Sequence, residues 1–83
     1  MSRTGNPDAA LAAVIRRLRV ERGLSQEAVA FKAGVTTGSV ARLELEQSVP
    51  GWDTVRQITQ ALEVSLTDLA VAVEAEDRSS SKP

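Results

Sequence analysis

The stretch Gln26–Leu45, QEAVAFKAGVTTGSVARLEL, decides the fold of this chain. It predicts two short helices joined by a tight turn. Ala30 supplies a small side chain where two steeply crossing helices approach, and Gly34 supplies the positive φ that such a turn requires. Val40 and Leu43 lie three residues apart on the second helix, so both are predicted to face the first helix.

The opposite face of the second helix is therefore held outward. This is the geometry of a helix-turn-helix, in which the second helix enters the DNA major groove, and Thr36–Glu46 is the predicted recognition helix. The candidate base-contacting residues lie in its N-terminal half: Thr36, Thr37, Gly38, Ser39 and Arg42.

Arg42 is the best base reader among these residues, because a guanidinium can donate two hydrogen bonds to guanine O6 and N7. The alternative is an exposed arginine paired with Glu46, four residues on. Thr37 can meet a thymine methyl, whereas Thr36, at the helix start, is expected to touch phosphate. Gly38 has no side chain with which to read a base. It either permits a close approach or indicates modest specificity, and both readings stay open.

The chain around this segment resembles the lambda-type repressor and Cro-like family, also called the xenobiotic-response-element type. IRRLRVERGLSQEAVA (Ile15–Ala30) is similar to that family's first two helices, and SVARLE (Ser39–Glu44) to its recognition helix. Pro50 and VRQITQALEVSLTDL (Val55–Leu69) resemble the segment that forms its last two helices. The resemblance implies a compact all-α domain of five helices, with the helix-turn-helix formed by helices 2 and 3.

The resemblance also assigns roles to particular residues. In relatives, the glutamine that matches Gln26 anchors a phosphate and braces the recognition helix. Arg19 and Glu44 match a pair that forms an internal salt bridge, which we expect to fix orientation more than it stabilises. Phe31 occupies a position where restriction–modification controller proteins often carry an aromatic residue.

The sequence departs from the family after the recognition helix. Relatives usually place a glycine and basic residues there, whereas this chain has Glu46, Gln47 and Ser48. We expect the positive-φ cap to be lost and Glu46 to repel phosphate.

Composition bounds the function further. The 83 residues make one domain, and they include no Cys, His or Tyr, which removes most nucleophilic and acid–base machinery. We therefore expect no catalytic residue, no cofactor and no metal site. The apolar runs are too short for a membrane span, and we expect a cytoplasmic protein.

The formal net charge of −1 is an objection to DNA binding. However, residues 1–44 carry seven basic and four acidic side chains, whereas residues 45–83 carry three basic and seven acidic ones. The half that contains the motif is thus the basic half, and local field governs docking on phosphates more than total charge does. Some of Arg16, Arg17 and Lys32 are expected to touch the DNA backbone.

Capping signals divide the chain. Residues 1–7 and 77–83 are predicted disordered tails around a domain of residues 8–76. Asp8, Ser25 and Thr36 are predicted N-caps of helices 1, 2 and 3, and Ser65 with Asp68 indicates a capping box for helix 5. Helix 4 is predicted to begin at Trp52 or Asp53 and to end at Leu62. We expect Trp52 to lie in the core.

Two functions remain open. The first is a transcriptional regulator, a repressor or autoregulator, that binds double-stranded DNA as a homodimer on an inverted repeat. Its interface is predicted on helix 5 at Leu69, Val71 and Val73, unless these valines merely cover the last turn of the monomer. The second is a protein-interaction module of the same fold, such as an antitoxin or anti-regulator, which the acidic C-terminal half and Glu46 favour.

Overall fold

The structure, a computed structural model, describes residues 8–80 and forms five α-helices with no strand in that range. The helices are α1 (Ala9–Glu21), α2 (Gln26–Ala33), α3 (Thr37–Glu44), α4 (Trp52–Leu62) and α5 (Leu66–Ser80). The prediction of an all-α, five-helix fold is confirmed. The predicted tail at residues 1–7 lies outside the described residues, as do residues 81–83.

Side-chain caps set where four of the helices begin. Asp8, Ser25, Thr36 and Ser65 each accept a hydrogen bond from the backbone N–H three residues on, at 2.9–3.0 Å. Each cap satisfies one of the N–H groups that a helix start leaves without an intrahelical partner. α4 begins after Gly51, which makes no such side-chain bond.

The first four helices end in the same way. A residue with positive φ follows or caps each one, at Gly23, Gly34, Glu46 and Glu63. After α3, the N–H of Gln47 donates to the carbonyl of Arg42 at 2.7 Å, which closes the turn. The expectation that this chain loses the positive-φ cap was wrong, because Glu46 itself adopts φ 61°. A residue with a Cβ is strained in that conformation.

The core lies where α2 packs against α3 and α4, and where α1 packs against α3 and α5. Ala30 and Ala33 are buried on α2 together with Val29, and Val40 and Leu43 are buried on α3. The small Ala30 lies in this cluster, and Gly34 ends α2 with φ 75°, as predicted. The remaining buried residues of this cluster are Val14, Ile15, Ile58, Ala61, Leu62 and Leu69.

Trp52 was expected in the core, and this was wrong. Its side chain is 66% exposed at the first position of α4. The residues of α4 that belong to the core are Ile58, Ala61 and Leu62, in its second half, whereas Trp52 lies at its start.

The boundary of the C-terminal tail also differs from the prediction. α5 continues through Ser80, so residues 77–80 are helical. Residues 77–80 are polar, so their composition did not indicate a helix. The same helix makes a tertiary contact just before this segment, an ion pair between Glu76 on α5 and Arg17 on α1.

Candidate nucleic-acid interface

The N-terminal half of α3 is open to solvent. Thr36, Thr37 and Arg42 are exposed, and Gly38 and Ser39 are partly exposed. The opposite face of α3 is closed, because Val40 and Leu43 belong to the core. The structure thus brings the five predicted base-contacting residues together on one accessible surface.

Two hydroxyls organise the start of this surface. Thr36 Oγ1 accepts a hydrogen bond from the backbone N–H of Ser39 at 3.0 Å and donates to Ser39 Oγ at 3.0 Å. The Ser39 side chain is therefore fixed against the cap, with acceptor capacity still open.

Arg42 does not pair with Glu46 as the alternative interpretation would have it. Arginines that do form ion pairs are Arg17, with Glu76, and Arg19, with Glu44. Instead, the guanidinium of Arg42 lies back toward the helix start, close to Gly38. Long side chains on a helix take this direction because their Cα–Cβ bonds tilt toward the N-terminus.

The C-terminal end of α3 is anchored inside the domain. Arg19 Nε and Nη2 donate to the two carboxylate oxygens of Glu44 at 2.7 and 3.0 Å, and Arg19 Nη1 donates to the carbonyl of Leu24 at 2.8 Å. The Arg19 and Glu44 side chains are only 14% and 3% exposed. The hydrogen bond from Arg19 to Glu44, aided by their charge attraction and opposed by burial, raises the pKa of Arg19 above its ordinary value.

Gln26 completes this anchor. Its Nε2 donates to Glu44 Oε1 at 3.0 Å, so one carboxylate receives bonds from both α1 and α2. The expected bracing of the recognition helix by Gln26 is thus present in the structure, and its contact with phosphate stays a prediction. We refer below to Arg19, Gln26 and Glu44 as the α3 anchor.

The other basic residues of the predicted interface are dispersed. Arg16 is exposed and lines a shallow pocket with Gln26 and Leu45, beside the α3 anchor. Arg17 instead turns toward α5, where Nη1 lies 3.1 Å from Glu76 Oε1. Lys32 lines a separate pocket near the ends of α1 and α4.

Apolar side chains near α3 were missed by the sequence reasoning. Leu45 and Val49 are exposed in the turn and loop that follow α3, and Trp52 is exposed where α4 begins. A depression of about 210 Å³ lies between α3 and this loop, and its lining includes Arg42 and Val49. The departure from a glycine-rich, basic loop was the signal that could have indicated this apolar edge.

The predicted dimer residues occupy different environments. Leu69 is buried in the monomer core, and Val73 packs partly against that core. Val71 is 60% exposed. Val71 is therefore the residue of the three that remains available to a partner.

Residues 8–80 contain no group of three or more Asp, Glu, His or Cys side chains that could hold a metal ion. No helix in the same range is long and apolar enough to cross a membrane.

A family model described as helix-turn-helix matches residues 15–69. The wild-type restriction-modification controller protein C.Esp1396I has a similar structure, with TM-score 0.83 and 22% identity over 86% of this chain and 92% of that chain. The same controller as a tetramer in complex with its natural 35 base-pair operator aligns with TM-score 0.79 and 24% identity, over 82% of this chain and 90% of that one. At these identities the likeness shows a shared fold. No curated protein matches the chain significantly.

Proposed function

The chain belongs to the helix-turn-helix family of DNA-binding transcription regulators, and from this premise we propose that it binds an operator as a homodimer. α3 enters the major groove of double-stranded DNA with its N-terminal half against the bases. The protein acts as a repressor or autoregulator, and the fold it shares with C.Esp1396I supports a role as a restriction–modification controller.

The observation that carries this proposal is the asymmetry of α3. The helix exposes polar groups at its N-terminal end, while the α3 anchor fixes its other end to α1 and α2. A recognition helix must present its base-reading side chains in a fixed position, since misplaced donors lose discrimination. The same segment thus combines accessible hydrogen-bonding groups with a rigid mount.

Contacts divide by chemistry. Arg42 donates to a guanine, Thr37 meets a thymine methyl or a polar base edge, and Ser39 contributes a hydroxyl. We assign phosphate contacts to Thr36 and Arg16, and to Gln26 through the second N–H of its amide, which Glu44 does not use. Arg17 and Lys32 lie away from this surface, and we leave them out of the proposed interface.

A dimer is part of the proposal because one short helix reads few bases. Two recognition helices about 34 Å apart would read adjacent turns of one DNA face. The similar controller protein was crystallised as a tetramer on its operator, which supports assembly on DNA. Val71 on α5 is the exposed residue that we place at the interface.

The dimer is tested by Val71→Glu in sedimentation. A two-fold interface would bring the two new carboxylates together, so the expected result is a folded monomer with weak operator affinity. Val20→Glu, at an exposed valine on α1, is the matched control and is expected to stay dimeric. A Val71→Glu protein that remains dimeric places the interface elsewhere.

Selection of duplexes from a random pool tests the function itself. We expect enrichment of an inverted repeat whose half-sites lie about 10 base pairs apart. Recovery of unrelated sequences, with no common half-site, would contradict the proposal. Residues 45–83 carry more acidic than basic side chains, so we expect the protein to neutralise few phosphates. The selection should therefore be done at low salt, where DNA binding is strongest.

A second candidate function has its own observation. Leu45, Val49 and Trp52 expose apolar surface around the C-terminal end of α3, next to the acidic Glu46. Such a surface fits a protein partner with apolar and basic groups, as in an antitoxin or anti-regulator. Two results together would favour this candidate: the parent binds DNA without sequence preference, and Leu45→Lys abolishes binding of a purified protein partner that the parent binds.

Location and chemistry follow from the leading proposal. A protein that reads operator DNA works in the compartment that holds the DNA, so we place it in the cytoplasm. We assign it no enzymatic activity, because binding and release of DNA account for the regulation.

A further inference from the structure

Gly38 occupies a helical position that does not require glycine. It is the second residue of α3, and it is not among the glycines with positive φ, Gly23 and Gly34. Glycine inside a helix lowers its stability relative to alanine, because it loses more backbone freedom on folding. The residue therefore needs another explanation.

The space beside Gly38 is already filled. A Cβ at this position would lie 3.0 Å from Arg42 Nη1 and 3.8 Å from Arg42 Cζ, with Thr36 Oγ1 at 3.9 Å. The first of these distances is tight for a carbon and a nitrogen without a hydrogen bond. A Cβ at position 38 would thus require the Arg42 guanidinium to shift from its place beside the first turn of α3.

We propose that Gly38 is a positioning residue, whose missing side chain lets the Arg42 guanidinium read a guanine from the first turn of α3. The inference rests on the proposed function. Arg42 is attached four residues further along the helix, which is a rise of about 6 Å, and its side chain reaches back to Gly38. Arg42 thereby supplies, at position 38, the base-reading group that Gly38 lacks.

The surroundings leave this guanidinium available for DNA. Among the described residues, Arg42 is not paired with Glu46 or any other carboxylate, whereas Arg19 donates to Glu44 and Leu24. Glu46 lies in the turn that follows α3. Two donors of Arg42 can therefore meet guanine O6 and N7 together.

Gly38→Ala tests the inference because it should raise or maintain the stability of the protein while it lowers the discrimination between bases. Alanine favours the helix, so the thermal midpoint of the full chain is expected to stay or rise. Discrimination between guanine and adenine at one position of each half-site is expected to fall about fivefold or more, as expected from disruption of one bidentate contact. Binding to random duplex is expected to stay unchanged.

Arg42→Ala supplies the control background. Since Gly38 acts through Arg42, adding Gly38→Ala to Arg42→Ala should not alter base preference further. Gly38→Ser is the second variant, and it should weaken the guanine preference as Gly38→Ala does.

Three results would overturn the inference. Gly38→Ala could select the same half-site as the parent with equal discrimination. It could change base preference equally with and without Arg42, which would indicate a direct effect of the backbone. Finally, the parent protein could fail to enrich any half-site, and then the proposed function would fail together with the inference. If the parent enriches a half-site and Gly38→Ala does not change its base preference, only the inference fails.

Discussion

The two ends of α3 differ in almost every physical respect. At the N-terminal end, Thr36 and Thr37 are exposed, and the guanidinium of Arg42, an exposed residue of the last turn, lies back toward them beside Gly38. At the C-terminal end, Glu44 is buried and receives bonds from Arg19 and Gln26. One end of the helix therefore serves the fold while the other is free for recognition, and substitutions at the two ends should separate stability from DNA binding.

Glu44→Ala should have the largest effect on folding. It leaves the partly buried charge of Arg19 with only the carbonyl of Leu24, which costs up to about 3–5 kcal/mol in the free energy of unfolding. Glu76→Ala removes the other ion pair, which is exposed, and should cost less than about 1 kcal/mol. Urea denaturation followed by circular dichroism measures both. Equal losses would show that the α3 anchor is an ordinary surface pair.

Arg42→Ala should leave folding intact and reduce binding. The loss of a bidentate contact to guanine costs about 1–3 kcal/mol on the selected duplex and relaxes base preference at one position per half-site. Fluorescence anisotropy on selected and scrambled duplexes measures the difference. If the variant discriminates between the duplexes as the parent does, Arg42 is only a surface charge.

Glu46→Gly should stabilise the protein by about 1 kcal/mol. Glu46 has φ 61° after α3, and glycine takes this conformation without the strain imposed by a Cβ. Glu63 has φ 59° after α4, so Glu63→Gly is a matched control with the same strain and a location away from α3. Thermal unfolding should give equal gains. A lower thermal midpoint in either variant would contradict the claim that Glu46 and Glu63 have strained backbones.

Glu46→Lys should have the smallest effect of these substitutions, a modest steepening of the salt dependence of DNA binding. A lysine in place of the acidic residue can neutralise about one phosphate, which steepens the plot of log affinity against log salt by about 0.9. Glu63→Lys again serves as the control and should leave the slope as it is. An unchanged slope for Glu46→Lys would show that the loop after α3 stays away from the DNA backbone.

Local signals in the sequence predicted most of the fold. The caps at Asp8, Ser25 and Thr36, the span of α4, and the inward face of α3 are as expected, because each depends on neighbours within one helical turn. The anchor of Arg19 and Glu44 came from the family resemblance, since residues 25 positions apart give no local pattern.

Tertiary contacts account for what the sequence did not predict. Arg17 pairs with Glu76, 59 residues away, so its neighbour could not be found from spacing. Trp52 was expected in the core because a lone tryptophan is usually buried, yet it is exposed at the first position of α4. Glu46 was not expected to cap a helix, because residue type alone favours glycine at a position with positive φ. The structure shows that Glu46 adopts this strained conformation.

The central claim is that the exposed face of α3, from its N-cap Thr36 to Arg42, reads the bases while Glu44, at its C-terminal end, serves the fold. Amide chemical shifts recorded by NMR, with the selected duplex and with a scrambled duplex of equal length, test it most directly. The account predicts that the two spectra differ chiefly at Thr36, Thr37, Ser39 and Arg42. Identical spectra, or differences centred on Leu45, Val49 and Trp52, would contradict it.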